Sequence, residues 1–316
     1  MRRFFNLIAI VALVAAVAAW IFSAPRPLSE ERLAALVALP DGDLSRGEMV
    51  FWAAGCASCH AAERATGDAK LQLVGGHRFV TEFGTFVAPN ISSDTTHGIG
   101  SWTLPQFANA LVRGISPDGE HYYPAFPYAS YIRMTDQDIV DLFAYMKTLP
   151  ASDQASQPHE LGFPFNVRRG LGFWKLLNLR EDWVVPQVPT GVTDPAAFER
   201  GRYLVESLAH CGECHTPRDL SGGLKRSAWM AGAPSPDGKE RIPNISPHES
   251  GIGGWSEQDI AYSLESGFTP EFDSFGSTMA DVQLNMAKLP ASDRAAVALY
   301  LKSLPAVAST TSKPSR

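Results

Sequence analysis

The sequence predicts an all-α chain: two tandem copies of one small helical module behind an N-terminal transmembrane helix. Three observations lead there. An uncharged apolar stretch runs from Phe4 to Phe22, a repeat recurs at an offset of 155 residues, and the apolar residues of both halves follow a helical period with no alternation typical of a sheet.

The stretch from Phe4 to Phe22 has Asn6 as its only polar member and follows Arg2-Arg3. As a helix it would reach about 28 Å, close to the hydrocarbon thickness of a bilayer. The leading arginines favour a cytoplasmic N-terminus, which sends everything after Ser23 to the far side of the membrane. Residues 1–24 are therefore an anchor, or alternatively a cleaved signal segment. Trp20-Ile21-Phe22 occupies the place where a cleavage site wants small residues.

The repeat organises the rest. Cys56-Ala-Ser-Cys59-His60 lies over Cys211-Gly-Glu-Cys214-His215, and Pro89-Asn90-Ile91-Ser92 over Pro243-Asn244-Ile245-Ser246. Gly98-Ile99-Gly100-Ser101-Trp102 matches Gly251-Ile252-Gly253-Gly254-Trp255, and Tyr145 to Pro150 matches Tyr300 to Pro305. The modules are expected at residues 40–150 and 195–305. In each, a helix leads into the cysteine motif, from about Leu44 and from about Pro195. A Gly/Pro-rich loop follows, then a helix capped by Thr103 or Ser256. Thr135 caps the last helix of the first module, Asp136 and Asp138 suit its positive end, and Ile139, Leu142, Phe143 and Met146 form its buried face. Residues 151–194 are too apolar and aromatic for a flexible linker and are expected to be an ordered connector packed across both modules. Phe173, Trp174 and Leu177 could alternatively present an exposed patch. Residues 306–316, short and Ser/Thr-rich, are expected to be disordered.

A net charge of −6 over 316 residues, with no basic run longer than a pair such as Arg168-Arg169, argues against nucleic-acid binding. All four cysteines fall in CxxCH motifs, so none remains for a disulfide. Two thiols three residues apart on a helical turn can both bond the vinyl groups on one edge of a haem, and the following histidine then points at the iron. Cys56, Cys59, Cys211 and Cys214 are accordingly the attachment residues of two haem c groups, with His60 and His215 as proximal ligands. A zinc site or a thioredoxin-like pair would leave the adjacent histidines unexplained.

The sixth iron position is usually filled by a methionine from the second half of such a module. Met134, just ahead of the last helix, is the choice in the first module, with His121 its rival. Met146 falls on the buried helical stripe. The repeat places Leu289 opposite Met134, so the second module must differ. Met279 is preferred there, with Met286 as alternative and Met230 as an outsider. Trp102, Trp255 and Arg218 are candidate propionate partners, and the Asn90 and Asn244 loops are expected to wrap the haem edges.

Several segments, among them His121-Tyr122-Tyr123-Pro124-Ala125-Phe126-Pro127-Tyr128, Met134-Thr135-Asp136, Cys211 to Arg218 and Met279-Ala280-Asp281-Val282, resemble a known family. It comprises the diheme members of the c-type cytochrome subunits that accompany bacterial membrane-bound alcohol, aldehyde and sugar dehydrogenases. The resemblance covers about residues 40 to 305. It implies two tandem cytochrome c-like domains and axial ligation at Met134 and Met279. The better-known subunits of this kind have three haems, whereas two motifs are present here. The function this implies is relay of single electrons from a periplasmic dehydrogenase to a quinone or a terminal oxidase in the membrane, with no catalytic residues of its own. The expected location is the inner membrane, with the haem domains in the periplasm. The alternative is a diheme enzyme of peroxidase type, which requires an iron with an open position.

Overall fold

The computed structural model describes residues 1–309. Helix α1 (Arg2–Phe22) is long and apolar enough to cross a membrane, and none of its residues is buried. Ser23 closes it and is itself buried. Helix α2 (Glu30–Val37), capped by Ser29, then lies against the first half of the chain.

In that half, α3 (Leu44–Ala53) is capped by the Asp43 carboxylate, which accepts from the Arg46 amide at 2.9 Å. Gly55 breaks it with a φ of +67°, and the short α4 (Cys56–His60) carries the first motif. The second helix, α5 (Leu104–Arg113), begins where expected, with a capping box in which Thr103 and Gln106 bond each other's backbone. Next come α6 (Tyr128–Tyr131) and α7 (Asp136–Thr148), the latter capped by Thr135. Helices α3 and α7 cross at Gly47, where an added Cβ would lie 2.1 Å from the Asp141 carbonyl oxygen. Only glycine permits that approach.

The connector forms α8 (Leu171–Asn178), and the second half follows with α9 (Pro195–Tyr203), which continues through a π-helical turn at Leu204–Leu208. Here the chain bends at His210, with a φ of +40°, where the first half uses Gly55. Then come α10 (Gly212–His215), α11 (Glu257–Ser266), α12 (Thr278–Met286) and α13 (Ala291–Lys302). Ser256 caps α11 as expected, with Asp259 completing a capping box. Helices α9 and α13 cross at Gly201, whose Cβ would lie 2.0 Å from the Ala296 carbonyl oxygen. Both crossings feed one continuous apolar core.

The fold is mostly helical rather than wholly so. Strands β1 (Arg78–Thr81), β2 (Gly84–Val87) and β3 (Glu160–Leu161) form an antiparallel sheet, and β4 (Ala233–Pro234) pairs with β5 (Arg241–Ile242). The expectation of no sheet fails because strands of two to four residues are too short to display a period of two.

The connector is tied to the two halves at several points. The Asn90 amide donates to the Ser152 and Gln154 carbonyls, Lys175 to those of Arg113 and Gly114, and the amides of Val184 and Val185 to the Glu206 carboxylate. The start of the tail is held too, since the Asn244 and Ser246 side chains both donate to the Val307 carbonyl. The disorder expected for 306–316 therefore does not begin at 306, and residues 310–316 lie outside the described residues.

Candidate functional site

The two CxxCH turns are built alike. His60 Nδ1 lies 2.8 Å from the Pro89 carbonyl oxygen, and His215 Nδ1 lies 2.8 Å from that of Pro243. A carbonyl can only accept, so each Nδ1 carries the proton, and in the neutral ring Nε2 keeps its lone pair. Burial pushes both imidazole pKa values down, which keeps the rings neutral. The residue after each proline holds that carbonyl in place. Asn90 Oδ1 accepts from the Ser92 amide at 2.9 Å, and Asn244 Oδ1 accepts from the Ser246 amide at 2.8 Å. The backbone carbonyls of His60 and His215 accept from Gly75 and Gly232, each at 2.8 Å. Sequence reasoning placed the Asn-Ile-Ser loops near the site but missed the proline carbonyls. The available signal was the recurrence of Pro-Asn-Ile-Ser 29 and 28 residues after the two histidines.

The motifs meet at the contact between the halves. Ser130 Oγ donates to Glu213 Oε1 at 3.1 Å, and Asn285 Nδ2 donates to Ser58 Oγ at 2.7 Å. Ser58 and Glu213 hold the same position in their motifs, and Ser130 and Asn285 are related by the 155-residue offset. Each half therefore reaches across to the other's motif from an equivalent position. Burial pushes the Cys59 thiol up to about 11, and Cys214 and Asp281, both from the other half, add to that push. The Tyr131 ring sits 5.6 Å from that of His210, and its hydroxyl donates to the Ala54 carbonyl at 2.7 Å.

The remaining expected residues divide. Met134 is buried, with 3% of its surface exposed, and Leu289, its counterpart by the repeat, is equally buried. Met279 is half-buried at the start of α12, the helix that carries Asn285 to the first motif. Met146, Met230 and Met286 are buried in the apolar core. Met230 holds the Ile245 amide as Leu73 holds that of Ile91. His121 sits elsewhere: its Nε2 donates to the Ser23 carbonyl at 2.9 Å, at the end of α1. Arg218 is half-exposed and its Nη2 pairs with Glu213 at 2.7 Å. Trp102 and Trp255 pack, half-buried, against the core.

The model of the Cytochrome c family matches residues 44–150. A diheme cytochrome c-type protein of Cereibacter sphaeroides is 54% identical over 266 residues, covering 84% of this chain and 87% of the relative. The chain belongs to the cytochrome c family. Two further relatives of this cytochrome are the fructose dehydrogenase cytochrome subunit of Gluconobacter japonicus and the cytochrome c subunit of the quinone alcohol dehydrogenase of Gluconobacter oxydans. They are 41% and 35% identical, each over 84% of this chain. The chain spans 53% and 55% of their lengths, about half of each.

The residues present suit the haem c that a cytochrome c carries. Desolvation pushes the half-buried Cys56 and Cys211 thiols up to about 12, so both are neutral and poorly suited to act as free thiolates, and their pairing with Cys59 and Cys214 suits thioether bonds. The imidazoles are neutral and oriented from behind by a backbone carbonyl, as metal-ligating histidines are. The cytochrome is an electron-transfer protein and not a catalytic enzyme.

Proposed function

We propose that this cytochrome holds two haem c groups, one in each of two tandem domains (40–150 and 195–305) joined by the ordered connector 151–194. The single observation that carries this reading is the duplicated cradle: two CxxCH turns whose histidines bond equivalent proline carbonyls at the same 2.8 Å. Cys56, Cys59, Cys211 and Cys214 would attach the groups, with His60 and Met134 holding the iron of the first and His215 and Met279 that of the second. Haem iron, so ligated, gains and loses one electron at a time.

The protein's part is to exclude water, fix the ligands and set the distance between the sites. The reciprocal contacts of Ser130 with Glu213 and of Asn285 with Ser58 hold the two motifs face to face, which suits direct passage of an electron between them. We further propose that α1 is retained as an inner-membrane anchor, that the haem domains face the periplasm, and that the electrons come from a dehydrogenase there and leave to a quinone or a terminal oxidase. Relatives named as cytochrome subunits of fructose and alcohol dehydrogenases support the dehydrogenase side.

The test is the purified, membrane-extracted protein. The expected results are an intact mass carrying two haem adducts and an iron–thioether charge-transfer band at the red end of the oxidised spectrum. That band should weaken in Met134→Ala and again in Met279→Ala. One haem adduct or none, or a high-spin spectrum that binds carbon monoxide on reduction, would overturn the assignment. Co-purification with a flavin- or quinoprotein dehydrogenase tests the partner.

A further inference from the structure

A cavity of about 190 Å³ opens where α1 leaves the region it is proposed to span. Its walls come from three parts of the chain: Phe22 at the end of α1, Arg26 and Arg113 beside it, and His121, Lys175 and Leu176 opposite. The end of α1 is clamped here. A Cβ on Gly172 would lie 2.3 Å from the Ser23 carbonyl oxygen, Arg169 donates to the Trp20 carbonyl at 2.7 Å, and the same guanidinium lies 4.0 Å above the Trp20 ring. Tryptophan and arginine in this pairing are typical of a membrane–water interface.

Four basic side chains line this small space, and their partners do not account for them. Arg26 takes no part in an ion pair among the described residues, and Arg113 donates through Nε to the Arg26 carbonyl at 3.0 Å and reaches a carboxylate, that of Glu181, at 3.5 Å. Lys175 is buried and satisfied by two backbone carbonyls, which are neutral. His121 is 3% exposed, its Nε2 bonds Ser23, and its Nδ1 is buried with no hydrogen-bond partner. A buried polar atom left unpaired is costly, and a native fold keeps one where a ligand completes it. Burial first, and neighbouring cations second, lower the pKa values of Lys175, Arg113 and His121, so the His121 ring is neutral and its Nδ1 keeps a lone pair aimed at the cavity.

We infer that this cavity is a binding site for the headgroup of an anionic phospholipid, its phosphate held by Arg26 and Arg113 and a headgroup hydroxyl donating to His121 Nδ1. The source is a lipid rather than free phosphate because Phe22 and Leu176 form an apolar wall continuous with α1, where an acyl chain lies when the headgroup is in place. Arginine supplies the forked donors that phosphate takes best. The inference rests on the proposed retention of α1 as an anchor. It adds that one lipid cements the anchor to the connector and so sets how the haem domains stand on the membrane.

The test is native mass spectrometry of the full-length, delipidated protein in detergent, titrated with dioleoylphosphatidylglycerol, dioleoylphosphatidylcholine and inorganic phosphate. The expected result is one phosphatidylglycerol per chain, with phosphatidylcholine about tenfold weaker. Arg26→Gln and Arg113→Gln should each weaken phosphatidylglycerol by about tenfold, the loss of one charge-assisted bond apiece, and the double substitution by about a hundredfold, while Lys239→Gln changes nothing. Phosphate alone binding as tightly as the lipid, or lipid retention indifferent to the arginine substitutions, would overturn the proposal. The same spectra read whether residues 1–22 are present. A shortened chain that still binds the lipid sinks the anchor reading and leaves the site standing.

Discussion

The two halves of this cytochrome share a frame and differ in what fills it. Gly47 and Gly201 allow the same close helix crossing, and the same histidine-to-proline bond closes each cradle. Away from that frame the halves diverge. Phe51 packs on Tyr145 in the first, with ring centroids 5.5 Å apart. The positions 155 residues on hold Glu206 and Tyr300, joined by a hydrogen bond of 2.6 Å with Trp229 donating to the same hydroxyl. Where the first half buries Met134, the second buries Leu289. The ion pair inside the crossing also moves by one turn, from Arg46–Asp141 to Arg200–Asp293. The backbone geometry around the two CxxCH turns is repeated, while the side chains packed about it differ.

The sharpest way to break this comparison is to remove one attachment site. Cys56→Ala and Cys211→Ala should each leave about half the haem absorbance per chain, and loss of all haem from either variant would mean that the halves do not load independently. Next come the crossings. Gly47→Leu and Gly201→Leu should each cost at least about 3 kcal/mol, since a Cβ would meet a backbone carbonyl that cannot yield; denaturant unfolding reads this. If only one of the two is damaging, the frames are not equivalent.

Equivalent positions should then give opposite signatures. Leu289→Ala should cost about 2–5 kcal/mol of stability and leave the iron–thioether band intact, whereas Met134→Ala should weaken the band. Glu206→Gln should cost about 1–3 kcal/mol, because its amide group would face the Val184 and Val185 amides that the carboxylate now accepts from. Phe51→Leu, at the matching position, lacks that polar penalty.

The smallest expected effect is at low pH. Burial tends to raise the Asp141 pKa, but bonds from Arg46, the Asp43 amide and Gln137 outweigh it and hold the carboxyl below the ordinary 3.8. A depressed native pKa contributes stability that is fully present above the unfolded value and is lost as pH falls through the folded one. Acid unfolding of Asp141→Asn should therefore depend less steeply on pH below about 4 than that of the parent protein.

Much of the site was legible in advance because its signals are local. CxxCH is a covalent requirement written in five consecutive residues, and the helix starts at Thr103, Thr135 and Ser256 follow from side chains three residues from the amides they cap. The short strands were missed because two to four residues carry too little pattern. The pairing of Arg218 with Glu213 joins residues of different charge five apart on no shared element, which no sequence period displays.

By itself, then, the sequence determined the apolar span, the duplication and the residues able to bond haem, since each depends on neighbours along the chain. Tertiary structure alone decided that the prolines' carbonyls orient the imidazoles, that Ser130 and Asn285 reach into the opposite motif, and that His121 lines one cavity with Arg26, Arg113 and Lys175 at the end of α1. These are contacts between residues 28 to 227 positions apart. No local period or spacing encodes them, and they exist only once the helices have packed.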